Sequence, residues 1–250
     1  MAILLGFLIA VAISLTGVGG GVLTAPILIL FLGVPPLEAV TVSLLFAAGV
    51  KFLIAPAYLR ARRVDFGILG RLLAGGIPGV LIGSLAIERL NAAGRSGVLS
   101  AILGLSVAII AALNLFGMWR GSSAEGGARE RSRWLPLLAL PIGAEVGFSS
   151  AGAGALGTLA LLNLTTLAPA RVVATDVCFG LVLSLLGGGI HWRAGHQLPA
   201  VLWPLLAGGA VGAIAGIYVS GILPARPLRA VLCCWLVFIG IELCWKSLAS

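Results

Sequence analysis

Charge is scarce in this 250-residue sequence: Asp, Glu, Lys and Arg together supply 10% of it, and aromatic residues 7%. Soluble domains average about 25% charged residues. With 60% hydrophobic residues and a mean hydropathy of +1.16, the composition excludes an ordinary soluble domain and points to a polytopic membrane protein. Histidine is nearly absent, limited to His191 and His196. No His-Glu-x-x-His, paired histidine, Gly-x-Ser-x-Gly or P-loop pattern occurs, so an intramembrane enzyme or an ATP-driven pump has no motif to stand on. The four cysteines, Cys178, Cys233, Cys234 and Cys244, form no Cys-x-x-Cys pair. Neither a disulfide framework nor a metal centre is indicated, and the expectation is no cofactor. The N-terminus is apolar from Ala2 onward and lacks a charged leader region, so it reads as the first membrane element.

The net charge of +8 does not gather on one soluble surface. The basic residues lie in short loops between apolar spans, where positive-inside bias accounts for them and nucleic acid is not an expected partner. The expected surroundings are the lipid bilayer of a bacterial inner membrane, crossed several times. A homodimer is compatible with the sequence.

What is present is glycine at membrane depth. Ile3 to Leu32 carries no ionisable side chain, yet four of the five residues from Gly17 to Gly21 are glycine. Each glycine costs a helix interior about 1 kcal/mol relative to alanine, and unwound backbone in a membrane must be buried in protein or line a polar cavity. The stretch recurs. A shift of 133 residues places Gly19 and Gly21 on Gly152 and Gly154, Pro36 on Pro169, Phe46 on Phe179 and Arg60 on Arg193. Leu72 to Gly76 repeats identically as Leu205 to Gly209. The register holds without a gap, so the chain is internally duplicated.

The predicted architecture is therefore all-α: a membrane repeat over 1–119, a charged linker over 120–133, and a second repeat over 134–250. Each repeat has four spans and opens with a glycine-broken helix or helical hairpin, Ile3 to Leu32 and Trp134 to Leu167. The remaining apolar spans are Ala39 to Leu59, Ile68 to Ile87, Ser96 to Trp119, Val172 to Ile190, Ala200 to Leu223 and Leu228 to Leu248. Arg60, Arg62 and Arg63 align with Arg193, Gly195 and His196. Equivalent loops of unlike charge favour inverted over parallel repeats. Inversion would bring the two breaks together near the midplane, a recurrent transporter arrangement in which helix ends face an anion.

Lys51 is the most informative ionisable residue. It lies in mid-span with no acidic residue at helical spacing, and a buried ammonium marks a functional site unless it snorkels to an interface. Asp176 and Glu145 are candidate proton-coupling sites, with a cap-like structural role the alternative for Asp176. The backbone amides of Gly17, Gly19, Gly20, Gly21, Gly152 and Gly154 and the hydroxyls of Ser43, Ser149, Ser150 and Thr175 are the candidate donors to an anion. His191 and His196 flank a loop, where solvation is the ordinary state. Trp119, Trp134, Trp192 and Trp245 fall at span ends as an aromatic belt.

The pattern from Gly17 to Pro26, its counterpart from Ser149 to Gly154, and the short matches Ala39 to Ser43 and Val172 to Asp176 resemble the TauE/SafE family of sulfite exporters. The resemblance covers nearly the whole chain except the linker. It implies an inner-membrane permease for small sulfur oxyanions or organosulfonates. The chain departs from the family pattern in keeping two glycines in the second motif, in Val42 for threonine, and in Leu159 where the first half has Pro26. A non-transporting membrane assembly protein is the alternative of a different class.

Overall fold

The computed structural model describes residues 1–16, 20–94, 96–119, 132–194, 200–219 and 225–248. The described residues form ten α-helices and one 3-10 turn at Ser132–Trp134, with no strand. In chain order the helices are α1 (Ala2–Thr16), α2 (Gly20–Leu32), α3 (Pro36–Arg60), α4 (Phe66–Ala92), α5 (Ser96–Trp119), α6 (Leu135–Ser149), α7 (Leu156–Leu164), α8 (Pro169–Arg193), α9 (Leu202–Val219) and α10 (Ala225–Leu248). Both ends of α1 and α6 are 133 residues apart, as are those of α3 and α8. Among the described residues, four stretches are long and apolar enough to cross a bilayer: Pro36–Arg60, Phe66–Ala92, Gly97–Gly117 and Pro169–Arg193.

Glycine decides which helices pair. On α4, Gly75, Gly79 and Gly83 recur every fourth residue and present one bare stripe. Against it lie the backbone carbonyls of Pro136, Leu140 and Ala144 on α6. On α9, Gly208 and Gly212 rest in the same way on Ile3 and Phe7 of α1, and Gly216 on Ser14. Small residues let membrane helices approach to backbone contact, where dispersion replaces the hydrophobic effect that lipid cannot supply.

Directions follow from these contacts. Rising numbers on α4 meet rising numbers on α6, and the same holds for α9 with α1. The α4 and α8 helices also run the same way, with Phe179 at Gly76, Val80 at Gly187 and Glu88 at His191. By contrast α3 and α8 are antiparallel: Leu44 packs at Gly187, and Lys51 at Gly180. So are α5 and α10, where Gly104 meets Gly240 and the Cys244 thiol donates to the Ala101 carbonyl.

The outside of the molecule is apolar. Phe52, Ile82, Leu105, Val211 and Phe238 are all exposed, as residues facing lipid should be. Trp134, Trp192 and Trp245 are exposed too, in keeping with the expected belt. Inside, α3 and α8 are central, and Phe46 and Phe179 are fully buried equivalents on them. Asp65 fastens the α3–α4 corner to the start of α8. Its carboxylate caps α4 through Ile68 N at 3.0 Å and meets Arg171 at 3.2 Å, while its own amide donates to Thr175 Oγ1.

Candidate functional site

The second break begins where α6 ends. Ser150 adopts a left-handed backbone, φ +67°, a conformation that costs a non-glycine residue roughly 1–2 kcal/mol. Its amide donates to the Val146 carbonyl at 2.9 Å. The chain then passes through 151–155, with Gly154 at φ +95°, before α7 starts. Ala151, Ala153 and Ala155 are buried here, so the unwound segment is enclosed in protein, as membrane depth requires.

The first break lies directly against it. Gly21, in the first turn of α2, packs on Ser150 so closely that a Cβ would fall on the Ser150 carbonyl and hydroxyl. Ser150 Oγ is buried and has no hydrogen-bond partner among the described residues. Its hydroxyl is therefore an open donor of the expected set. Gly20 opens α2, whereas Gly17 and Gly19 lie outside the described residues.

Lys51 reaches the second break from the other side. It is 6% exposed, and its Nζ lies at Gly180 of α8, a position where any Cβ would collide with it. That same position touches Ala153 of the break. Mid-α3, mid-α8 and the unwound segment thus meet at one point, with the Lys51 amino group in it. The acidic group whose field acts on Lys51 is Asp176, one turn earlier on α8. Its carboxylate accepts the Thr158 hydroxyl at 3.0 Å and abuts Gly157, both in the first turn of α7. An anion at a helix N-terminus is favoured by the exposed amides there. Asp176 therefore places a carboxylate beside the start of α7.

Among the predicted hydroxyl donors, Ser43 and Ser149 are committed locally. Ser43, the counterpart of Asp176, donates to the Ala39 carbonyl at 2.6 Å. Thr175 accepts the Asp65 amide at 3.1 Å. Ser149 donates to Glu145, and its oxygen accepts the Ala151 amide at 3.2 Å. Gly152 packs against Ile142 and Glu145. Glu145 also borders a crevice of about 410 Å³ between α5, α6 and α7, lined otherwise by Ser106 and apolar residues such as Ile109 and Leu156.

One expectation fails. His191 is not a solvated loop residue: it is fully buried within α8, with Nδ1 2.8 Å from the Glu88 carboxylate and Nε2 3.2 Å from the Gly147 carbonyl. The apolar span ends at Ile190 by hydropathy alone, but α8 continues to Arg193. His196 lies outside the described residues. Sequence reasoning also missed Gly180, Thr158 and Glu88. An acidic residue at the end of a span, Glu88, was a usable signal; Gly180 and Thr158 carried none.

The model of the family described as "Sulfite exporter TauE/SafE" matches residues 2–243. The chain is 26% identical to "Probable membrane transporter protein YjnA" of Bacillus subtilis (strain 168), covering 96% of this chain and 98% of the relative. It is 24% identical to "Probable membrane transporter protein YunE" of the same organism, over 99% and 98%. A Haemophilus influenzae "Probable membrane transporter protein" is 28% identical over 84% and 80%. No solved structure matches. With a family match across nearly its whole length and apolar helices that suit a bilayer, the chain is a multi-pass membrane transporter of the sulfite exporter TauE/SafE family.

Proposed function

We propose that this protein is a secondary transporter of small anions, sulfur oxyanions or organosulfonates, in a bacterial inner membrane. The observation that carries the reading is Lys51, whose amino group is buried between α3 and α8 beside the second break. A buried cation needs a counter-charge. Asp176 supplies a partial one, and a mobile anion would complete it. The Ser150 hydroxyl and the amides beside Gly21 would orient the oxyanion oxygens, in the manner of helix ends that bind anions elsewhere. Asp176 would then compete with substrate for Lys51, and Glu145, hydrogen-bonded to Ser149 at the break, would carry a coupling proton.

The two halves would be inverted repeats, each opening with a hairpin. Support comes from the antiparallel crossing of the equivalent helices α3 and α8, and of α5 and α10. The α6 helix runs with α4, and α4 with α8. For α8 to start at the end from which α6 left, α7 must bring the chain back.

The test is thermal stability of the detergent-purified protein against sulfite, sulfate, thiosulfate, sulfoacetate, taurine and chloride at matched ionic strength. A ligand at about 100 times its Kd should stabilise the fold by about 2.7 kcal/mol. A shift selective for sulfur oxyanions or sulfonates that disappears in Lys51→Ala supports the reading. No shift with any anion would overturn it.

A further inference from the structure

The contact that the proposed transport cycle leaves unused is the buried pair His191 and Glu88. Its geometry fixes a proton inventory. The Gly147 carbonyl can only accept, so Nε2 of His191 carries a hydrogen. Across the 2.8 Å contact to Glu88, Nδ1 and the carboxylate must then hold one further proton between them. Imidazolium facing carboxylate and neutral ring facing carboxylic acid both satisfy this. Two bare lone pairs at that distance do not.

The Gly147 carbonyl is available because of the break. In a continuing helix it would accept the amide of Ala151. That amide is instead bonded to Ser149 Oγ, and the freed carbonyl turns to His191, with the Ser84 hydroxyl at 3.5 Å as its second donor. A cationic donor at a helix C-terminus also suits the local dipole. The buried ring thus ties the last turn of α6 to α4 and α8, three residues before Ser150. Glu88 is 22% exposed at its side chain, which gives the pair a path to external protons.

The surroundings set what else acts on the pair. From α4, Glu88 touches the ring and exposed Arg89 follows it. From α6, Gly147 touches it, with Glu145 engaged by Ser149 on the same turn. The α7 helix has no ionisable residue. The α3 register, Leu44 at Gly187, brings the stretch around Val40 opposite, where Glu38 is the ionisable group. On α8 itself, Arg193 is exposed and Asp176 lies far along the helix beside Thr158.

We propose that His191 and Glu88 form a one-proton site that holds the end of α6, and with it the second break, in the geometry that binds the anion. His191 is a positioning residue in this scheme, acting through Gly147 and Ser150. When the shared proton leaves, either the Gly147 or the Glu88 contact must break, so the last turn loosens and anion affinity falls as pH rises. The proposal rests on the anion-transporter reading.

The experiment measures sulfate affinity of the purified full-length protein at about pH 6 and about pH 9; sulfate keeps its charge throughout. Wild type should weaken with rising pH by about 5- to 150-fold, the range of an ordinary site-to-site coupling. His191→Gln keeps a permanent donor for Gly147 and should bind equally at both pH values. His191→Ala should bind weakly at both. A His191→Gln variant that keeps the wild-type pH dependence, or a wild type that has none, overturns the proposal. Ring-nitrogen NMR of histidine-labelled wild type, assigned with His196→Gln, provides a second measurement. It decides if His191→Gln fails to fold, or if wild type binds no anion and the transporter reading falls. A single titration that changes Nδ1 and Nε2 together supports the proton site; ring nitrogens unchanged across the range overturn it.

Discussion

Ser150 holds its strained left-handed turn directly on the backbone of Gly21, so each broken helix is the other's steric stop. The two positions should respond in opposite ways to small changes. Gly21→Ala puts a methyl onto the Ser150 carbonyl, an overpacking that costs about 1–3 kcal/mol, and it should lower Tm and anion binding together. Ser150→Gly relieves the backbone strain and should leave Tm unchanged or raised. It also deletes the open hydroxyl, so anion affinity should fall. Thermal melts with and without sulfate separate these outcomes; a Ser150→Gly variant with wild-type affinity would remove the hydroxyl from the site.

Lys51 and Gly180 offer a way to move the charge without deleting it. A methyl at Gly180 meets the tip of a flexible side chain, with Ala153 Cβ at 3.0 Å as the firmer neighbour. Gly180→Ala should therefore displace the ammonium from the break at modest cost in stability. A lost charge-assisted hydrogen bond is worth about 1.5–3 kcal/mol, or roughly 10- to 150-fold in Kd. Gly180→Ala and Lys51→Ala should both show a loss in that range, measured by titration calorimetry. Unchanged affinity in Gly180→Ala would mean that the ammonium acts from elsewhere.

Much of this was legible in the sequence because its signals are periodic. The 133-residue register matches the bounds of α1 with α6 and of α3 with α8, and hydropathy gave the long spans. Lys51 was visible since one cation in an apolar run needs no neighbour to be anomalous. The partners were not visible, because they come from other helices. Gly180 looks like any other glycine of a glycine-rich chain until α3 and α8 are crossed, and Thr158 acquires a role only where α7 meets Asp176. His191 was misread for a related reason: hydropathy ends a span at its first polar residue, while the helix and its burial continue.

Asp176 makes a prediction whose sign is informative. Asp176→Asn can keep an acceptor for Thr158 but removes the charge that acts on Lys51. Stripping a partner from a buried charge is destabilising, typically by about 3–5 kcal/mol, so Tm without ligand should drop. An anion would then be the remaining counter-charge, and the sulfate-induced rise in Tm should exceed that of wild type. A smaller rise would assign Asp176 to building the site through α7 rather than to competing with substrate.

The glycines of α4 should give opposite effects from one identical substitution. Gly70 has open space where a Cβ would go, and Gly79 has the Leu140 carbonyl of α6 there. At Gly70 only helix propensity is at stake, and Gly70→Ala should stabilise by up to about 1 kcal/mol. Gly79→Ala gains the same propensity term but must push α6 away, at about 1–3 kcal/mol. Because α6 ends in the break, that push should reach the site, and sulfate affinity should fall in Gly79→Ala while staying unchanged in Gly70→Ala. Equal melting temperatures for the two variants would mean that the α4–α6 contact yields without cost, and that the stripe does not set the position of the break.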